Sequence, residues 1–191
     1  MKAPFLFLLG ATCGAAVMAG PKAITHVHAA IGHFAHGGKA TSDTRAHTDA
    51  QFEFLANGTF EKVAPLFGAD KERVWAAEWN PAFVYPHPAA DREGMVFTVE
   101  HHHHQAVWVN TQLDLGNGRV QYAYVIPDAM VTLISLRLTR EGDKTRLFVT
   151  YERTSLSAEA DEHVRRMGEG DRGSGPEWEK DINGYLSQPG K

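Results

Sequence analysis

Cysteine is almost absent from this sequence of 191 residues. The single cysteine, Cys13, lies inside an apolar N-terminal run, so a chain that loses this run has none. Removal of this N-terminal run would therefore exclude disulfides, thiolate catalysis and cysteine-based zinc sites from the rest of the protein.

An excess of positive charge is absent as well. The sequence has 19 Lys and Arg against 23 Asp and Glu, a net charge of −4. A nucleic-acid-binding protein needs a basic face, so we expect no nucleic-acid partner. Apolar residues make up 43% and charged residues 22%, which is typical of a packed globular domain and excludes a disordered chain.

Signatures of the common enzyme and cofactor sites are missing too. The sequence contains no G-x-S-x-G nucleophile elbow, no H-E-x-x-H zinc motif, no Gly-rich phosphate loop and no dinucleotide fingerprint. No residue can therefore be assigned a catalytic role from a motif, and we expect no cofactor.

The N-terminus has the features of an export signal. Lys2 precedes an apolar run from Phe5 to Ala19, and Val17-Met18-Ala19 fits the small-x-small cleavage pattern. The run is shorter than the ~20 residues that a membrane-spanning helix needs. We predict that residues 1–19 are a cleaved signal peptide and that the mature protein is periplasmic or secreted, without a membrane span. A lipid anchor on Cys13 and an uncleaved anchor are the alternatives.

Residues 20–46 are rich in Gly, Ala, Thr, Ser and His, which is typical of a flexible linker. A loose metal-binding tail is a second interpretation, because histidines are frequent in this region and at its boundary. They are His26, His28, His33, His36 and His47. A short amphipathic helix is a third alternative, because apolar residues recur at helical spacing; they are Ile24, Val27, Ile31 and Phe34.

Four consecutive histidines, His101 to His104, lie between two predicted strands. We interpret them as a solvated hairpin tip. Because side chains alternate along an extended chain, His101 and His103 would share a side and could chelate a metal ion. A zinc site uses three or four protein ligands, so this pair is a weak metal candidate.

The remaining chain predicts an antiparallel meander followed by helices. Alternating apolar residues predict seven strands, and turn residues such as Asn117-Gly118 separate several of them. The predicted strands are 50–54, 83–85, 95–100, 105–115, 119–126, 131–139 and 145–154. Two short helices are predicted after the first strand, over 60–67 and from Asp70 to Trp75. The end is predicted to be helical over 157–167 and again after Gly175, with a Ser174-x-x-Glu177 capping box and a stripe of Trp178, Ile182, Tyr185 and Leu186.

This order of elements resembles the START-like, or SRPBCC, helix-grip family over residues 47–188. The resemblance rests on a Trp-rich segment after the second short helix, a G-x-x-F strand, a central hairpin and a last strand; these are 78–81, 94–98, 107–110 with 120–127, and 149–154. It implies an α+β fold in which a curved antiparallel sheet wraps a long C-terminal helix. The Gly-rich break at 168–175 departs from the family pattern.

The resemblance further implies an internal cavity for a hydrophobic or amphipathic ligand. Candidate ligand-binding residues are aromatic or polar groups on the expected inner faces: Trp79, Phe83, Tyr85, Phe97, Trp108, Asn110, Tyr122, Tyr124 and Trp178. Gln112 is expected on the Trp108 face, and Glu78 is a candidate pocket carboxylate with a pKa raised by burial. We expect a binding protein; a polyketide cyclase or aromatase is the first alternative, and a metal-handling protein that uses the histidines is the second.

Overall fold

A seven-stranded antiparallel sheet forms the body of the protein. The computed structural model describes residues 44–101 and 104–190. The strands are β1 His47–Ala56, β2 Ala82–Tyr85, β3 Val96–His101, β4 His104–Asp114, β5 Arg119–Ile126, β6 Met130–Glu141 and β7 Lys144–Ser155. Their order is β1-β7-β6-β5-β4-β3-β2, so β2 to β7 form a meander and β1 closes the far edge beside β7. The predicted meander is confirmed.

Alternation of burial along the strands shows which face of the sheet carries the core. In β6, Ile134, Leu136 and Leu138 are buried, whereas Leu133 and Ser135, which alternate with them, are partly exposed. In β7, Leu147 and Val149 are buried in the same manner. One face of the curved sheet is therefore apolar and covered, as the period of two along a strand requires.

The turn between β4 and β5 depends on a glycine. Residues Leu115–Asn117 form a short 3₁₀ turn, and Gly118 follows with φ +65° in the left-handed region. Asp114 accepts hydrogen bonds from the main-chain N–H of Asn117 at 3.3 Å and from its side-chain amide at 2.8 Å. A Cβ at Gly118 would lie 2.5 Å from the carbonyl oxygen of Leu138, so the Asn-Gly signal marks a position where only glycine fits.

A β-bulge in β4 changes the face on which Gln112 lies. Asn110 pairs with Tyr122, but the next register pair is Gln112 with Gln121, so Thr111 is the extra residue. The bulge turns Gln112 away from the face that Trp108 and Asn110 share. The expectation that Gln112 lies on the Trp108 face is wrong, because an inserted residue reverses the alternation.

Two short helical segments follow β1. Helix α1 is Phe60–Val63 and continues as a 3₁₀ turn over Ala64–Leu66; the second segment, Lys71–Val74, is also 3₁₀. The side chain of Asp70, predicted to cap the second segment, makes no capping hydrogen bond. The carboxylate of Asp91 accepts from the main-chain N–H groups of Asp70 and Lys71 instead, at 2.9 and 3.0 Å.

The C-terminal region consists of two helices, α2 Ala158–Asp171 and α3 Gly175–Leu186. Helix α2 continues through Gly168, where the sequence predicted a break. A Cβ at Gly168 would lie 2.6 Å from the Cβ of Thr48, so this glycine allows close contact between α2 and β1. The predicted capping box is wrong: Ser174 has helical dihedral angles and makes no side-chain cap, whereas capping needs an extended residue.

The core lies against the inner face of the sheet and includes Trp178 and Ile182 of α3 and Val164 and Met167 of α2. Tyr185 and Leu186 pack against it as partly buried residues. The predicted stripe on α3 therefore faces the sheet. None of the described helices is long and apolar enough to span a membrane.

Candidate functional site

Aromatic rings from four elements meet on the inner face of the sheet. Trp108 of β4 stacks on Tyr124 of β5 with ring centroids 4.2 Å apart, and it lies 5.7 Å from Phe97 of β3. Trp79, from the loop before β2, meets Trp108 at 5.3 Å and an interplanar angle of 81°. The sequence-predicted residues Trp79, Phe97, Trp108 and Tyr124 are thus brought together, and all are buried.

Helix α3 adds a further indole, that of Trp178. Its ring lies 5.6 Å from Trp75, 5.8 Å from Phe52 and 6.4 Å from Phe54, measured between centroids. Trp178 is buried because its helix packs its apolar stripe against β1. The wall opposite the sheet is therefore supplied partly by α3.

One carboxyl group lies in this apolar surrounding. Glu72, in the Lys71–Val74 turn, is 2% exposed and is hydrogen-bonded to the phenol of Tyr122 on β5. The same phenol oxygen accepts from the main-chain N–H of Gly68 at 3.0 Å. The Tyr122 phenol thus connects Glu72 on one segment with Gly68 on another.

Burial controls the protonation of this pair. Loss of water around the carboxyl group raises the pKa of Glu72 to about 8. The hydrogen bonds with Tyr122 and with the Gly68 backbone lower this pKa, but by less than burial raises it. The negative charge of Asp91 raises it further. Burial also raises the pKa of Tyr122 well above its usual 10. At neutral pH, the interior therefore holds a mostly neutral carboxylic acid next to a neutral phenol.

Asp91 fixes the segment that carries Glu72. Its two carboxylate oxygens accept from the successive N–H groups of Asp70 and Lys71, one on each oxygen. Gly68 lies directly beneath: a Cβ there would be 2.4 Å from Cγ of Asp91, and φ is +119°. Asp91 and Gly68 together hold Glu72 toward the sheet.

Glu72 lines a narrow interior space with five other side chains: Trp79, Trp108, Tyr122, Ile134 and Trp178. The space between them is too narrow for a water molecule. Four of the sequence-predicted site residues, Trp79, Trp108, Tyr122 and Trp178, therefore share one location, with their side chains in contact or nearly so.

A second buried polar cluster joins the sheet to α2. The guanidinium of Arg153 on β7 makes two hydrogen bonds to the carboxylate of Asp171, from Nε at 2.6 Å and from Nη2 at 2.8 Å. It also bonds Tyr124 and, at 3.1 Å, the hydroxyl of Thr132. The charge of Arg153 is thus neutralised by Asp171, and the pair ties the end of α2 to β7.

Three other predicted site residues lie at the edge of the aromatic cluster. Asn110 is buried, and its amide donates to the carbonyl oxygen of Arg92 at 3.4 Å. Its Oδ1 has no hydrogen-bond partner among the described residues. Phe83 is partly buried, with its ring 6.5 Å from that of Phe97. Tyr85 is 52% exposed on edge strand β2, so it lies outside the interior.

The buried acidic residue of the aromatic cluster is not the one expected from the sequence. Glu78, the predicted pocket carboxylate, is exposed, and Glu72 takes its place. A helical pattern could have revealed this, because Glu72, Trp75, Ala76 and Trp79 follow the spacing i, i+3, i+4, i+7 and all four are buried. Glu72 lies on the apolar side of that pattern, and Glu78 does not.

The histidine predictions remain untested by the structure. His101 and His104 pair at the end of the β3–β4 hairpin, as a hairpin tip requires. His103, the side chain of His101, the predicted signal peptide (1–19) and nearly all of the predicted linker (20–46) lie outside the described residues. Within the part that is described, no group of three or more His, Cys, Asp or Glu side chains could hold a metal ion.

Comparisons with known proteins identify the fold and leave the function open. No family model and no curated protein match the sequence. Among solved structures, the Mll3558 protein of Rhizobium loti is 19% identical, with a TM-score of 0.53 over 75% of this chain and 99% of its own. Norcoclaurine synthase of Thalictrum flavum is 10% identical, with a TM-score of 0.55 over 86% and 98%. Ara h 8.0201 is 12% identical, with a TM-score of 0.52 over 75% and 100%. Together with the sheet order and the helices, these similarities show that the chain has the START-like (SRPBCC) helix-grip fold.

Proposed function

We propose that the protein binds a small hydrophobic or amphipathic molecule between the inner face of the sheet and α3. The lining supports this: Trp79, Trp108 and Trp178 surround one polar pair, Glu72 and Tyr122. Ligand sites typically combine apolar and aromatic walls with a few polar groups that orient the ligand. The resemblance to the START-like family implies a cavity between the sheet and the C-terminal helix, where this lining lies.

The observation that carries the proposal is the burial of Glu72. A carboxyl group without a cationic partner in an apolar interior destabilises a fold, and an apolar residue of similar size would avoid that cost. Strongly perturbed ionisable groups are common at functional sites for this reason. Glu72 is hydrogen-bonded to Tyr122, and Asp91 fixes the main chain just before it through the N–H groups of Asp70 and Lys71. We interpret it as the orienting group of a ligand site.

Because the space does not admit a water molecule, binding requires the walls to move apart. Trp178 can move together with α3, because Gly173 lies in the connection between α2 and α3. We expect a ligand to displace α3 outward and to occupy the space next to Glu72.

Titration with a neutral apolar probe tests this proposal, with tryptophan fluorescence as the readout. Cyclohexanol is a suitable probe because it is small, soluble and uncharged. Ile134→Phe fills the interior space and should weaken the titration, whereas Leu133→Phe, on the outer face of the same strand, should leave it unchanged. If no apolar probe binds to the wild-type protein, its own side chains fill the interior and the proposal fails.

We also propose that the protein acts after export from the cytoplasm, as the N-terminal sequence predicts. The supporting features are Lys2, the apolar run and Val17-Met18-Ala19. N-terminal sequencing of the soluble protein from its native host tests this. A mature chain that begins near Gly20 is expected, and an intact Met1 would rule it out.

Acid–base catalysis of a polyketide-like cyclisation is the second candidate function. The observation that favours it is the Glu72–Tyr122 pair, because a carboxylic acid with a pKa of about 8 can take up or release a proton near neutral pH. Norcoclaurine synthase shows that the fold supports an enzyme. Incubation with a synthetic linear polyketone, followed by mass spectrometry, would reveal a dehydrated cyclic product that Glu72→Gln does not form. Equal product with both proteins would exclude this function.

A further inference from the structure

The interior contains one acidic group, Glu72, that has no cationic partner among the described residues. Arg153 is buried, but both oxygens of Asp171 already accept hydrogen bonds from its guanidinium. No cation contributes to the environment of Glu72 among the described residues, and the charged neighbour that does contribute is Asp91, a second acid. A ligand with a positive charge could therefore form an ion pair with Glu72.

The aromatic walls favour the same sign of charge. Trp79, Trp108, Trp178 and Tyr122 line the space with Glu72, and the faces of indole and phenol rings attract cations through their quadrupoles. Trp79 and Trp108 meet at an interplanar angle of 81°, so they form a corner and do not stack on each other. Once the walls move apart, an organic ammonium group next to Glu72 would therefore lie close to indole rings.

We infer that the interior site selects amphipathic ligands that carry a protonated amine, with the ammonium group on Glu72 and the apolar part among Trp79, Trp108 and Trp178. This inference rests on the proposed function, since it requires that the interior opens to a ligand. It adds the chemical class of the ligand. Neutral and anionic molecules of the same shape should bind more weakly.

Binding of a cation should release a proton from Glu72. The pKa of Glu72 is about 8 in the free protein, so at pH 7 the ion pair forms only after ionisation, at a cost of about tenfold in affinity. Affinity for an amine should therefore increase as the pH rises from 6 to about 8. Tyr122 and Tyr151, the nearby phenols, have pKa values raised well above 10 and stay protonated over this range. Asp91 faces the same segment, and the Arg153–Asp171 pair is neutral as a unit.

The experiment uses three probes of one shape: cyclohexylammonium, cyclohexanol and cyclohexanecarboxylate. Calorimetry in two buffers of different ionisation enthalpy gives the affinity of each and the number of protons released. The variant is Glu72→Gln, which preserves size and removes the charge. The control is Glu78→Gln, which removes the same charge from an exposed position six residues later.

For the wild-type protein and Glu78→Gln, we expect cyclohexylammonium to bind at least about tenfold more tightly than cyclohexanol, with nearly one proton released at pH 7. Glu72→Gln should lose both the preference for the amine over cyclohexanol and the proton release, whereas Glu78→Gln should keep both. If cyclohexanol binds and the amine binds no more tightly, or if the preference persists in Glu72→Gln, the inference is wrong and the proposed function stands. If none of the probes binds, both fail.

Discussion

The carboxyl group of Glu72 and the phenol of Tyr122 are hydrogen-bonded in the interior, although 50 residues of sequence separate them. The contact joins the short helical segment after β1 to the middle of β5. Neither group has a charged partner of opposite sign among the described residues that contribute to its pKa. The pair is therefore a polar centre that the fold holds at a cost in stability.

Stability should fall as the pH rises from about 4.5 to about 8 because of Glu72. The pKa of this group is 4.5 in an unfolded chain and about 8 in the folded protein. Between these pH values, the folded protein keeps a proton on Glu72 that the unfolded chain has lost. Ionisation above that range should remove about 5 kcal/mol relative to the fully protonated state. Urea unfolding at several pH values measures this.

Glu72→Gln is the matched variant for that measurement, since it cannot ionise. The difference in the free energy of unfolding between the two proteins cancels the titration of all other groups. We expect Glu72→Gln to be the more stable protein at pH 8 and to lose that advantage toward pH 5. A difference that does not change with pH would show that Glu72 is ionised in the folded state.

Arg153→Met should destabilise the protein by about 3–5 kcal/mol, because it leaves Asp171 charged and buried without a partner. The double variant Arg153→Met, Asp171→Leu removes both charges and should recover most of the loss. The exposed pair of Arg146 and Glu141, 2.6 Å apart, is the control, and Arg146→Met should cost at most about 1 kcal/mol. Equal losses at Arg153 and Arg146 would contradict the buried ion pair.

Gly68→Ala should destabilise the protein by at least about 1–3 kcal/mol, the cost of a non-glycine residue in an unfavourable backbone region. The added Cβ would also lie 2.4 Å from Cγ of Asp91, so the segment that carries Glu72 must shift. Gly184→Ala is the control, because it lies in α3 with no neighbouring atom within 4 Å, and alanine should stabilise the helix there. Thermal unfolding compares the two, and a neutral Gly68→Ala would mean that Asp91 does not pack as described.

Trp178→Ala should cost about 3–5 kcal/mol, from lost burial and the cavity that remains. The indole is buried among Phe52, Phe54 and Trp75, so its removal leaves contacts on three sides unfilled. Lys180→Ala, exposed on the same helix, should have little effect. Denaturant unfolding measures both, and a neutral Trp178→Ala would contradict the packing of α3 on the sheet.

Much of the fold could be predicted because its signals are local. Alternation of apolar residues predicts a strand over Arg119–Ile126, and the structure has β5 with these same bounds. Asn117-Gly118 predicts the preceding turn, where Gly118 has a left-handed conformation. The order of strands then follows from short turns, since neighbours in sequence pair in space.

The errors arose where a distant residue decides the local structure. Gly168 is typical of a helix break, yet it lies inside α2. Thr48 of β1 occupies the space that a side chain at position 168 would fill, so only glycine fits there. The cap of the second helical segment comes from Asp91, about 20 residues after the N–H groups that it binds. The bulge at Thr111 has no signal in the sequence of β4 alone.

Burial of aromatic residues on the inner strand faces was predicted, whereas burial of Glu72 was missed. Large aromatic residues on the inner strand faces are buried whatever their role, so Trp108, Tyr122 and Tyr124 could be predicted. Glu72 was missed because a charged residue in a charged segment, Lys71–Val74, is usually solvated. Its burial follows from the tertiary position of that segment between Asp91 and Tyr122.

The most direct test of ligand binding in the interior is a titration of the wild-type protein with cyclohexanol, followed by two-dimensional NMR of the indole N–H groups. All four tryptophans of the sequence are reporters: Trp79, Trp108 and Trp178 line the interior space, whereas Trp75 does not. We expect saturable shifts of the first three signals that are clearly larger than that of Trp75. Indole signals that stay unchanged up to high probe concentration would contradict the account.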